Sequence, residues 1–125
     1  MRRMSFRMTE AQLLDGSKTV TRRTGWKRSW EHVKPGDRIR AIDKHDFRRK
    51  GGSRVLGIIT VISIRRERLD LVTPEDVVRE GYPTYTTDAF IEMFCGEFDC
   101  AAGDLVTRIE FTFEPETRQL TLELE

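Results

Sequence analysis

The sequence predicts an α+β domain built on a curled, mostly antiparallel β-sheet with three short helices between its strands. Three observations lead to this fold class. The chain has 125 residues, a length that suits one domain with a substantial core. Its β-prone segments alternate with short helices irregularly, unlike the repeating units of a parallel sheet. It also lacks the glycine-rich loop of phosphate-binding α/β folds. We therefore expect residues 1–125 to form a single domain.

The first helix is predicted in the segment MTEAQLLDG. Thr9 stands at its N-cap position and Gln12 at the matching position of a capping box. Met8 and Leu13 have the spacing of a hydrophobic staple. Gly16 then ends the helix, and the following KTVTRR is β-prone.

Two strands are predicted in the middle of the chain. In VKPGDRIRAID, a Pro-Gly turn precedes a strand in which Ile39 and Ala41 alternate with Arg38, Arg40 and Ile42. The basic, glycine-containing HDFRRKGGS follows and reads as a mobile loop. RVLGIITVISIRRERL is rich in β-branched residues, which predicts a long strand.

The second helix has the most complete local signals in the sequence. In TPEDVVREG, Thr73 is placed to cap the N-terminus, with Pro74 at the first helical position and Asp76 at the third. Gly81 is placed to end the helix.

The last part of the chain predicts a third helix and further strands. TTDAFIEMFC places Phe90, Met93 and Phe94 on one helical face, which indicates a core-facing stripe rather than a cofactor site. DLVTRIEFTFEP predicts a strand, and RQLTLELE is a candidate for one more.

The charges divide unevenly along the chain. The net charge is +1, yet residues 1–68 hold 19 Lys and Arg against 7 Asp and Glu, whereas residues 69–125 hold 3 against 14. A basic half of this kind predicts a surface for polyanions, with the acidic half turned away or on the far side of a cleft. The alternative is that the two halves interleave in the fold and neutralise each other.

Two basic clusters are candidates for contacts with RNA. In the first, Trp26 and Trp30 could stack on bases while nearby cations contact phosphates; the alternative is that the tryptophans close and cover the barrel. The candidate cations in the two clusters are Lys27, Arg28, Arg48, Arg49 and Lys50.

Several other classes of protein lack support. No apolar run approaches the roughly 20 residues of a membrane-spanning helix, and MRRMSFRMTEAQ lacks the apolar core of a secretory signal. We therefore expect a soluble, cytoplasmic protein. Cys95 and Cys100 are expected to be reduced there, and the alternative is a disulfide that closes a small loop between them. A metal site is not expected, because His32 and His45 lack paired spacing.

A series of motifs resembles the ASCH family, whose fold is similar to the RNA-binding PUA domain. The resemblance covers roughly residues 4–114 and is carried, in order, by LLDGSKTVTRR, VKPGDRIRAI, LGIITVISI, VTPEDVVREGY, FIEMFC and VTRIEFTFE. It implies a curled β pseudo-barrel of about six strands flanked by short helices. It also implies that the partner is RNA or a modified nucleoside.

The resemblance also implies candidate catalytic residues. Some bacterial ASCH proteins remove the acetyl group from N4-acetylcytidine with a Lys, a Thr three residues later and a Glu beyond the central strands. Lys18, Thr21 and Glu80 occupy the matching positions, and Arg22 and Arg23 follow the motif as candidate ligand-binding residues. A desolvated lysine can act as base toward a threonine hydroxyl that attacks an amide carbonyl. The expected activity is thus a metal-independent amidohydrolase without a cofactor; a ribonuclease and a non-catalytic RNA-binding module are the alternatives.

Overall fold

A computed structural model describes residues 1–26, 29–46 and 52–116. Its elements follow in the order β1 (Arg3–Ser5), α1 (Glu10–Leu14), β2 (Val20–Arg23), β3 (Arg38–Ile42), β4 (Val55–Arg68), α2 (Pro74–Arg79), α3 (Thr87–Phe98) and β5 (Leu105–Pro115). A 3-10 helix, Leu69–Leu71, lies between β4 and α2. The candidate strand RQLTLELE falls outside the described residues.

The five strands form one sheet in the order β1-β3-β4-β5-β2. The β1–β3 pair is parallel, and the β3–β4, β4–β5 and β5–β2 pairs are antiparallel. The sheet curls into a half-barrel, so the predicted α+β class and mostly antiparallel sheet are confirmed. Strand β1 has no signal in the sequence, because three residues are too few to display a period of two.

Irregularities in strand pairing accompany the curl of the sheet. The register shifts between Ala41 and Ile42 on β3, and between Val61 and Ser63 on β4. Bulges of this kind bend a strand and increase its twist. Both shifts skip one residue of β4, Leu56 in the first and Ile62 in the second. Ile42 is buried beside Ala41, although simple alternation places it on the polar face.

The core has two parts. One packs against the sheet and is built largely from strand residues: Met4, Phe6, Leu13, Val33, Ile39, Ala41, Leu56, Ile59, Val61, Ile109 and Phe111. The other lies beneath α2 and α3 and includes Leu69, Val72, Val77, Phe90, Phe94 and Val106. The predicted stripe on α3 is therefore core, as expected, with Met93 half-buried at its margin.

The two short helices differ in how well local signals predicted their ends. The Thr73 hydroxyl accepts a hydrogen bond from the Asp76 backbone N–H at 3.1 Å, as predicted for α2. Thr9 is the N-cap of α1, but its side chain makes no capping hydrogen bond. The predicted capping box is wrong, because the Gln12 side-chain amide donates instead to the Gly81 carbonyl at 3.2 Å. This contact packs α1 against the end of α2.

Candidate functional site

A cleft of about 150 Å³ lies between the two edge strands of the sheet. Ser5 and Phe6 line it from the end of β1, and Thr21, Arg22 and Arg23 line it from β2. Because β1 and β2 are the outermost strands, the curl of the sheet brings its two edges to one site. The rest of the lining is largely apolar and includes Met8, Tyr82, Met93, Phe94 and Phe98.

Lys18 reaches this cleft from the segment between α1 and β2. Its backbone N–H donates to the Gln12 carbonyl at 3.0 Å, and the next N–H, of Thr19, donates to the Arg79 carbonyl at 2.8 Å. The segment is thus held between α1 and the end of α2. Because Lys18 precedes the strand, it and Thr21 both line the cleft, although residues three apart on a strand face opposite sides.

Lys18 and Glu80 form a buried ion pair. The Lys18 ammonium donates to Glu80 Oε1 at 3.0 Å and to the Glu80 carbonyl at 2.8 Å. Only 3% of Lys18 and 4% of Glu80 is exposed, so neither is a solvated surface residue. Glu80 is the C-cap residue of α2. The following Gly81 has a φ of +101° and lies against Gln12, where a Cβ would come within 2.9 Å of the Gln12 side chain.

Burial lowers the pKa of Lys18 from its ordinary value of 10.5. The attraction of Glu80 opposes this change, whereas repulsion from Arg23 and Arg22 adds to it. The lower pKa increases the fraction of neutral amine, the form that can accept a proton.

A second layer of buried charges lies behind Glu80. Arg22 donates to Glu80 Oε2 at 3.1 Å, to Asp76 Oδ2 at 2.6 Å and to Glu67 Oε1 at 3.4 Å. Arg108 donates to both carboxylate oxygens of Asp76, at 2.7 and 3.1 Å. Burial raises the pKa of Asp76, but the hydrogen bonds from the two arginines outweigh burial and hold the pKa well below its ordinary value.

This network pairs the basic half of the chain with the acidic half. Lys18 and Arg22 come from residues 1–68, and Asp76 and Glu80 come from residues 69–125. Inside the fold, therefore, the halves interleave and neutralise each other, as the alternative interpretation of the charges held.

Arg23 contacts the third candidate catalytic residue. Its Nε donates to the Thr21 hydroxyl oxygen at 3.2 Å, and its guanidinium lies 5.0 Å from the centre of the Phe6 ring. Burial lowers the pKa of Arg23 to about 10, against the attraction of Glu80, and the side chain remains charged at neutral pH. Five of the candidate residues thus line one cleft: Lys18, Thr21, Arg22, Arg23 and Glu80.

The other candidate residues do not line this cleft or lie outside the described residues. Trp30 packs against the core and donates to the Thr24 carbonyl at 3.4 Å, which matches the structural alternative. Trp26 lies under Arg66, with the guanidinium carbon 5.6 Å from its ring centre. The candidate cations of the two basic clusters lie outside the described residues: Lys27, Arg28, Arg48, Arg49 and Lys50.

Sequence reasoning missed Asp76 and Arg108 as members of the site. The sequence predicts a role for Asp76 only at the start of α2, yet its carboxylate holds two arginines. Arg108 has a signal in the sequence, because it interrupts an otherwise β-prone run directly before Ile109. A charged residue at a buried strand position indicates a buried partner.

Three further features bear on function. Cys95 and Cys100 are unbridged, with their Sγ atoms 3.8 Å apart. Across residues 1–26, 29–46 and 52–116, no three His, Cys, Asp or Glu side chains are grouped as metal ligands. In the same ranges no helix is long and apolar enough to cross a bilayer.

Comparison with known proteins relates the chain to others through its fold. No protein-family model matches it, and no curated protein matches it in sequence. A structure of protein EF3133 from Enterococcus faecalis, assigned to family DUF984, matches with a TM-score of 0.61 and 18% identity, over 85% of this chain and 69% of that chain. An ASCH domain from Lactobacillus crispatus matches with a TM-score of 0.53 and 15% identity, over 83% and 69%.

An ASCH protein of Zymomonas mobilis matches with a TM-score of 0.51 and 11% identity, over 93% of this chain and 75% of that one. The three similarities agree with the curled five-stranded sheet and its flanking helices. The chain has the fold of ASCH domain proteins.

Proposed function

We propose that the protein binds RNA or a nucleoside through this cleft and hydrolyses the amide bond that joins an acyl group to N4 of cytosine. The observation that carries the proposal is the buried Lys18–Glu80 pair in a cleft that Thr21 also lines. A buried amine held by a carboxylate beside a hydroxyl supplies a base, an orienting group and a nucleophile.

The size and lining of the cleft suit a single base. A cavity of about 150 Å³ can hold one small aromatic ring, and the volume here is about 150 Å³. Tyr82 and Phe98 offer aromatic surface for stacking. Lys18, Thr21 and Glu80 supply polar groups to the cleft, beside which an exocyclic amide of the base would be positioned.

These residues support the following reaction. Neutral Lys18 takes the proton of the Thr21 hydroxyl as its oxygen attacks the acyl carbon, and the ammonium then gives that proton to the departing N4. Water hydrolyses the resulting ester of Thr21, so cytosine and a carboxylic acid are the products. Glu80 holds the amine in place. Arg23 donates to the Thr21 oxygen, which leaves the hydroxyl proton for Lys18 and stabilises the negative charge on the oxygen.

The test is release of acetate from N4-acetylcytidine by the purified protein, with a chelator present. Lys18→Met and Thr21→Val preserve side-chain size, and each should lower the rate by about a hundredfold or more, the scale of losing an acid–base group or a nucleophile. Matched controls are Lys34→Met, at an exposed lysine paired with Asp37, and Thr19→Val, next to Lys18. Circular dichroism establishes that each variant is folded.

The result also separates the alternatives. Wild-type activity that survives both Lys18→Met and Thr21→Val contradicts the proposed roles. Cleavage of RNA with no acetate release identifies a ribonuclease instead. Binding without either reaction identifies a non-catalytic module.

A further inference from the structure

The outer face of the sheet carries a row of exposed arginines on its β1 edge. Arg3 on β1 lies directly opposite Arg40 on β3, and Arg38 lies two residues earlier on the same face of β3. All three are exposed. Their neighbours in register on β4, Ile58 and Thr60, are uncharged.

These arginines differ from most of the other exposed cations of the chain. Arg7, Lys34, Arg54 and Arg68 each pair with a carboxylate. Within the described part of the chain, no carboxylate forms an ion pair with Arg3, Arg38 or Arg40. Like charges directly opposite each other on neighbouring strands are destabilising, so folding alone does not account for the row.

The row continues around the edge of the sheet to an aromatic side chain. The Arg2 carbonyl accepts a hydrogen bond from the Arg40 N–H at 2.9 Å. The Arg2 guanidinium carbon lies 5.3 Å from the centre of the partly buried Trp30 ring. Positive charge beside an aromatic surface is typical of proteins that bind single-stranded nucleic acid.

The row is also close to the cleft along the chain. Arg3 precedes Phe6, which lines the cleft, by three residues, or about 10 Å of extended strand. That distance corresponds to about three stacked nucleotides. Arg3 and Phe6 face opposite sides of the sheet, but β1 is an edge strand, so one short single strand that passes around this edge could reach both places.

We propose that Arg3, Arg38 and Arg40 form a binding surface for the phosphate backbone of single-stranded RNA. The inference rests on the proposed function in taking RNA as the ligand, and it adds a surface outside the cleft. Arginine suits this role because its guanidinium is always charged and donates two parallel hydrogen bonds to a phosphate. The arginines hold the RNA strand in position, whereas the cleft selects the base.

The test compares two triple variants in binding a labelled single-stranded RNA of about ten nucleotides, within the site sizes of such surfaces. The surface variant combines Arg3→Gln, Arg38→Gln and Arg40→Gln. The control variant removes the same charge at paired positions, with Lys34→Gln, Arg54→Gln and Arg68→Gln. Affinity is measured between 50 and 200 mM salt.

Loss of three phosphate contacts should reduce the slope of log affinity against log salt by about 2, at roughly 0.7 per contact for a single strand. The wild type and the control should therefore lose about 15-fold more affinity across that salt range than the surface variant does. Equal slopes for the surface and control variants overturn the inference. So does binding to phosphatidylserine vesicles without binding to RNA.

Release of acetate from free N4-acetylcytidine distinguishes failure of this inference from failure of the proposed function. The surface variant should keep the wild-type rate, because its substitutions lie outside the cleft. If the wild type releases no acetate, the catalytic proposal is refuted. The salt dependence of RNA binding by the two triple variants then still tests whether the three arginines bind phosphates.

Discussion

Removing the Glu80 carboxylate should destabilise the fold strongly. In Glu80→Ala, Lys18 loses its carboxylate partner and keeps only the backbone carbonyl of residue 80, while Arg22 keeps Asp76 and Glu67. Breaking a buried ion pair from one side costs about 3–5 kcal/mol, and the whole domain is stable by only about 5–15 kcal/mol. The expected cost is of this size because both Lys18 and Glu80 are buried.

Urea unfolding followed by circular dichroism measures the change. With a urea dependence of about 1–3 kcal/mol per molar, the midpoint should fall by about 2 M, and the melting temperature should fall by about 10–20 °C for a chain of this size. Glu75→Ala is the matched control, because Glu75 is exposed on the same helix and its loss should cost no more than about 1 kcal/mol.

A double variant tests the reasoning itself. Lys18→Met removes the charge that Glu80→Ala leaves buried, so the two together should cost less than the sum of the single variants, by about 1–3 kcal/mol. A loss below about 1 kcal/mol for Glu80→Ala, the value of an exposed ion pair, refutes the claim that the pair is desolvated. Strict additivity refutes the claim that Lys18 is its partner.

Three further predictions concern titration and redox chemistry. The lowered pKa of Asp76 means that its stabilisation is complete above the ordinary carboxyl pKa of about 4 and is lost as pH falls toward the native pKa; Asp76→Asn should flatten this acid loss in urea midpoints, and an unchanged profile contradicts the prediction. Because burial lowers the pKa of Lys18, acetate release should rise with pH through a pKa below 10.5. Glu80→Gln removes an interaction that raises this pKa, so it should move the rise to lower pH, and a shift to higher pH argues against Lys18 as the base. Hydrogen peroxide should join Cys95 and Cys100, whose Sγ atoms are 3.8 Å apart, with a loss of two hydrogens by mass spectrometry; burial raises the pKa of Cys100 to about 11, so the reaction should be faster at alkaline pH, and dimers instead of an internal bond contradict it.

The sequence by itself determined the helices and strands whose limits or buried face depend only on residues close to them in the chain. The helix over TPEDVVREG forms as predicted because Thr73, Pro74 and Gly81 act within one or two turns. The long strand β4 and the core stripe of α3 follow from side-chain periodicity, which also depends only on nearby positions. The resemblance to the ASCH family supplied Lys18, Thr21 and Glu80 as a set, and periodicity alone did not.

Tertiary structure decided what distant residues do to each other. Gln12 fits a capping box in sequence, but its side chain bonds to Gly81, a residue 69 positions away. Glu80 lies 62 positions from Lys18, and no local pattern shows that both are buried or that Arg22 shares the carboxylate. The curl of the sheet brings edge strands β1 and β2 to one cleft. Burial and charge pairing depend on the whole packed chain, because desolvation is set by every atom around a group and not by its neighbours in sequence.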